Sequence, residues 1–136
     1  MGMPIKSLDN VDLLEVVQLS EAKNSFRIDV PNNAFSDYKM LLLSYFIADG
    51  TTATWIYTPF NKTSADGSYT GVGSKTAGCS TFFSDNGQWK YRINGAGIAS
   101  ITPRDSGNFI TVRSYSAEKT FAAGSIFVLI GERNGE

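Results

Sequence analysis

The chain of 136 residues has no histidine, one cysteine, four prolines and no block of like charge. Each shortage removes a class of function. Without an imidazole there is no Ser-His or Cys-His nucleophile pair, no zinc site built on His ligands, and no general base of the commonest kind near neutral pH. A lone Cys79 cannot close an internal disulfide, so covalent staples do not hold the fold, and burial as a small apolar residue is its expected role. The 12 basic and 13 acidic residues are scattered. That argues against nucleic acid as a partner, because counterion replacement needs clustered Lys or Arg. No unbroken apolar run approaches the ~20 residues of a spanning helix, so membrane insertion is not expected. The opening MGMPIKS is too short and polar for a signal peptide, and residues 1–8 read as a flexible N-terminal segment.

What is present points to short strands and tight turns. There are 13 glycines, and 12% of the residues are aromatic. Phe26, Ile28 and Val30 alternate with Arg27 and Asp29 before Pro31-Asn32-Asn33 stops the run. Tyr38 to Ala48 is nearly all apolar, as in a strand buried on both faces, and Asp49-Gly50 closes it. TATWIYTPF follows, rich in β-branched and aromatic residues. A Gly, Ser and Thr-rich segment then reads as exposed loops around a weak strand at Tyr69 to Val72. CSTFFS runs into Asp85-Asn86-Gly87, a hairpin signal because Asn-Gly tolerates the positive φ values of a type I′ turn. QWKYRIN is the return strand, followed by IASITP, FITVRSYS and the apolar SIFVLI. Residues 11–23 fit either a capped helix or a strand, and the strand is favoured because the next run needs a partner. The whole predicts a single domain, an all-β antiparallel sandwich of jelly-roll type with about nine short strands. Ile126, Phe127, Val128, Leu129 and Ile130 leave no polar face, so that strand is either central in its sheet or part of a subunit interface.

The succession FRIDVPNNAFSDYKMLLLSYFIADG, a Gly and Thr-rich middle, GQWKYRI, ITVRSYS and the terminal AGSIFVLIGERNG resembles the small β-sandwich domains at the C-terminal tips of bacteriophage tail fibres and other tail appendages. The likeness spans about residues 14 to 133 and lies in strand and turn patterns rather than in a chemical signature. The middle from Thr51 to Gly78 is longer and more polar than the family pattern, and no triple-stranded shaft precedes it. The resemblance implies a virion protein made in the host cytoplasm, a trimer, contacts with other virion proteins, and recognition of a host-surface glycan or protein. It carries over no catalytic residue.

Sugar recognition sets aromatic faces against pyranose rings, with amides and carboxylates on the hydroxyls. Trp55, Tyr57, Tyr69, Trp89 and Tyr91 supply the first ingredient, and Asn61, Asp66, Asp85, Asn86 and Gln88 the second. In a two-sheet protein the alternating Trp89, Tyr91 and Ile93 read as core, with Gln88, Lys90, Arg92 and Asn94 solvated. Tyr69, within DGSYTGVG, has no hydrophobic neighbour in sequence that would demand its burial. The candidate ligand contacts are therefore Tyr69, Asn61, Asp66, Asp85 and Asn86. Asp66 and Asp85 sit beside turn glycines, and nothing in their spacing pairs them for glycosidase chemistry, so no enzyme is expected. DNG and ADG hold too few oxygen ligands for calcium, and no metal or other cofactor is expected. The Asn61-Lys62-Thr63 sequon reads as incidental. A receptor-binding virion module leads this reading, ahead of a structural or decoration protein of the particle and of a bacterial carbohydrate-binding module.

Overall fold

The computed structural model describes residues 10–64, 69–93 and 97–135, and for Ile93 and Gly97 the backbone alone. The expectations for residues 1–8, Asp66, Asn94 and the Ile93 side chain lie outside the described residues. The strands are β1 (Val11–Gln18), β2 (Ser25–Asp29), β3 (Tyr38–Ile47), β4 (Trp55–Tyr57), β5 (Tyr69–Gly71), β6 (Thr76–Asp85), β7 (Gln88–Ile93), β8 (Gly97–Ser100), β9 (Phe109–Ser114) and β10 (Ile126–Arg133). A single turn of helix, α1 (Ala34–Asp37), precedes β3. The strands form two antiparallel sheets, a large one ordered β1-β10-β3-β6-β7-β8 and a small one ordered β2-β9-β4-β5. The all-β sandwich read from the sequence is the fold, with ten described strands where about nine were expected.

Residues 11–18 are a strand because β10 gives them a partner along their length, from Val11 opposite Glu132 to Gln18 opposite Ile126. β10 is inserted between β1 and β3, so both of its edges are paired, while its two faces differ. Phe127 and Leu129 point inward and are fully buried, whereas Ile126, Val128 and Ile130 lie half-buried on the outer face. As interface candidates, Phe127 and Leu129 are thus replaced by their outward neighbours, since strand geometry sends alternate side chains to opposite faces.

The core is built from the inward rows. Leu41, Leu43, Tyr45 and Ile47 of β3 face Ile28, Ile56, Ile110 and Val112 of the small sheet in one continuous cluster. Trp89 and Tyr91 are each only 4% exposed, so the aromatic row of QWKYRI is core. Trp89 donates its indole N–H to the Phe35 carbonyl at 3.3 Å and meets the Phe35 ring edge-on at 5.2 Å, and α1 holds Phe35 there. Phe26, partly buried, packs its ring against Phe127 at 4.8 Å. The β6-β7 hairpin turns through Asn86 (φ 53°) and Gly87 (φ 80°), the two left-handed residues a type I′ turn requires. Gly131 is a close approach: a Cβ there would lie 2.7 Å from the Tyr38 ring. The Tyr38 hydroxyl donates to Asp12 at 2.5 Å, and Asp12 also pairs with Arg133, so β1, β3 and β10 are tied at one end. These partners hold the Asp12 carboxyl below its usual range, and the bond to Asp12, together with burial, pushes Tyr38 up to about 12.

Candidate functional site

β4 is short, but its pairings decide what the small sheet shows to solvent. Ile56 is 1% exposed and faces the core, so Trp55 and Tyr57 on either side of it face outward. Across β5, Tyr57 pairs with Tyr69 and Trp55 with Gly71. Across β9, Tyr57 pairs with Arg113. Paired residues share a face, so Trp55, Tyr57, Tyr69 and Arg113 converge on one patch. Tyr115 lies just past the end of β9, two residues after Arg113, and joins them.

The four rings form a connected cluster. Trp55 meets Tyr69 edge-on at 5.0 Å, Tyr57 tilts against Tyr69 at 5.5 Å, and Tyr57 stacks on Tyr115 at 6.2 Å. Tyr57 is the buried base at 8% exposure, while Trp55 (38%), Tyr69 (36%) and Tyr115 (71%) open to solvent. Gly71 seats the indole: a Cβ there would stand 3.4 Å from the Trp55 ring. Arg113 donates Nη1 to the Thr63 carbonyl at 2.7 Å, while its Nε is shielded from solvent without an acceptor. Burial pushes the Tyr57 hydroxyl up, with Tyr115 and Tyr69 adding to the effect and Arg113 opposing it. Tyr57 therefore stays a neutral phenol at ordinary pH. The patch combines flat apolar faces with phenol and indole polar tips, which is the chemistry a pyranose ring with its hydroxyl rim requires.

The residues named from sequence divide sharply. Tyr69 is in the cluster. Asn61 is buried, and its amide is engaged internally: Nδ2 donates to the Thr102 carbonyl and to Asn108 Oδ1, both at 3.1 Å, and Oδ1 accepts the Phe109 N–H at 2.9 Å. It braces the chain around Asn108 and is withdrawn from any surface, which also closes the sequon amide. Asp85 and Asn86 lie on the large sheet at the far end of β6, about 30 Å along that strand from Thr76 at ~3.4 Å per residue. Asp85 is paired there with Lys90 at 2.9 Å. The structure does not bring them to Tyr69. Trp89 and Tyr91 are inside, as their alternation implied. Cys79, expected to be buried, is exposed, because it pairs with the outward Ser44 of β3. Tyr115 was missed, although the alternation of FITVRSYS places it on the side of Arg113.

A depression of about 340 Å³ near the opposite end is lined by Asn32, Phe35, Pro103, Arg104 and Asp105. Its polar groups are already joined to one another: Asn32 donates to the Asp105 carbonyl at 2.8 Å and accepts from Asn108 at 3.0 Å. Among the described residues, no group of three or more His, Cys, Asp or Glu is placed to hold a metal, and no helix is long and apolar enough to cross a membrane. Comparison with protein-family models, with curated proteins and with solved structures finds no match to this chain.

Proposed function

We propose that the chain is a non-enzymatic recognition domain that binds a cell-surface carbohydrate through Trp55, Tyr57, Tyr69 and Tyr115, as the tip module of a virion appendage. The observation that carries the reading is the four-ring cluster itself. Three of its rings are more than a third exposed although the sandwich already has a complete core without them. Aromatic rings gathered at a surface and held by strand register supply rigid contact area at small entropic cost. The virion setting rests on the resemblance of the strand and turn succession to tail-appendage tips. A structural or decoration role is the second reading, favoured by the apolar outer face of the large sheet.

The test is binding to a glycan array and attachment to host cells. Trp55→Ala and Tyr69→Ala should each weaken binding by about 1 kcal/mol or more, while their melting temperatures stay near that of the parent. Unchanged attachment by the folded double variant would remove this surface as the receptor site.

A further inference from the structure

We infer that the outer face of β1, β10, β3 and β6 in the six-stranded sheet is buried against a second copy of this chain. An antiparallel sheet with one face on the core ordinarily turns a polar face to water. Here the outward row is apolar across four adjacent strands. Leu13 (66% exposed) and Val16 (49%) on β1 pair with Ile130 and Val128 on β10, and Val128 is followed across the sheet by Ser44 and then by Cys79. Phe46 on β3 is 44% exposed, and Leu42 beside it is half-buried. Lys39 pairs with Glu132 at 3.0 Å and Lys90 with Asp85 at 2.9 Å, and Lys90 and the exposed Arg92 stand on β7, outside the four apolar strands.

Size and charge identify the occupant. Four strands ~4.8 Å apart, with about eight residues at ~3.4 Å along each, make an apolar face of about 19 by 27 Å, or roughly 500 Å². A biological interface clears about 1,000 Å² in total, or about 500 Å² from each partner, so almost the whole face must be covered at once. A small anchor or a single helix would leave much of it wet. A second copy brings a sheet of the same extent and apolar character, and two such faces stack at about 10 Å as sheets do inside a sandwich. The centre carries no charge to select a charged partner. Association here also leaves the aromatic cluster, on the outer face of the other sheet, open to solvent. Weak sugar sites joined in this way act together through effective concentration. The inference does not depend on the carbohydrate reading, because the face and its neutrality stand without it.

Cys79, on β6 at one margin of the four apolar strands, is the one thiol of the chain and reports on the contact. Sedimentation equilibrium of the whole chain across a micromolar series should give an oligomer mass. Maleimide labelling of Cys79 should slow by about tenfold or more where the oligomer dominates, since reaction needs an accessible thiol. Leu13→Lys and Phe46→Lys, both at well-exposed positions, should yield folded monomers with restored labelling. A monomer at every concentration, with Cys79 reacting like a free thiol, would overturn the inference. So would an oligomer that leaves Cys79 reactive and ignores both substitutions, because its contact would then lie elsewhere.

Discussion

The outer faces of the two sheets have the same backbone chemistry and opposite side-chain character. The small sheet shows Trp55, Tyr69 and Tyr115 together with Arg113 and the Arg27-Asp29 pair, a mixture of flat rings and polar groups. Even its buried outward ring, Phe109, lies beneath the Arg27 guanidinium at 4.2 Å. The large sheet shows branched aliphatics and phenylalanine over β1, β10, β3 and β6, with Lys90 and Arg92 beyond them on β7. A mixed polar and aromatic surface is stable in water and ready to exchange water for a hydroxylated ligand, whereas an aliphatic surface gains chiefly by being removed from water. On the function and the inference proposed above, the contrast separates recognition from assembly within one small sandwich.

The largest effect should come from an aromatic residue that belongs to neither outer face. Trp89→Ala removes a buried indole with its contact to Phe35, and should lower unfolding free energy by about 3–5 kcal/mol in urea titration. A Trp89→Ala protein that stayed stable but lost carbohydrate binding would place the ligand platform on the wrong sheet here. Next in size is Gly131→Ala. Its Cβ would press on the Tyr38 ring at 2.7 Å, and overpacking of this kind costs about 1–3 kcal/mol. Because Gly131 is inward, the change should leave glycan binding by the folded fraction intact; a fully tolerated alanine would show that the β1-β10-β3 end is loosely packed.

The smallest effect is a pH dependence from the end of the large sheet where Asp12 and Tyr38 meet. Asp12 is held below its ordinary value of 3.8, so its contribution is present above that pH and is lost as pH falls through the lower folded value. Tyr38 is raised from 10.0 to about 12, so the fold favours its protonated form. That contribution is full below pH 10 and disappears as pH climbs towards 12. Melting curves should fall at both ends, and Asp12→Asn should flatten both limbs. A variant with the same pH profile as its parent would mean that the tie among β1, β3 and β10 adds nothing to stability.

Much of the fold was legible because turn chemistry and alternation agreed. Asn86-Gly87 marked its hairpin, and Trp89-x-Tyr91 declared its inward face through period two. Alternation fails where both faces are apolar. In CSTFFS the adjacent Phe82 and Phe83 leave the strand's parity open, so the run gave no sign that Cys79, expected inside from its residue type, faces outward. The site was less legible than the fold. Tyr69 stood out through its polar surroundings, but its meeting with Tyr57 depends on a register set across a long loop, and Tyr115 enters only because β9 lies beside β4. Asn61 resembles a loop asparagine in sequence. Its left-handed backbone (φ 56°) and its bonds to Asn108 and Phe109, nearly fifty residues away, make it a brace.

The place of β10 in the large sheet also has a consequence in time. During synthesis β1 and β3 emerge long before the strand that separates them, so until β10 is made β1 lacks its partner in the sheet and β3 keeps an open edge. Throughout that interval each edge presents unpaired amides beside an apolar row, the state in which nascent chains pair with the wrong partner. Ile126 to Arg133 therefore act as a late-arriving closure. A ribosome that stalls before Ile126 would release a chain in which β1 has lost its β10 partner and one edge of β3 stays open.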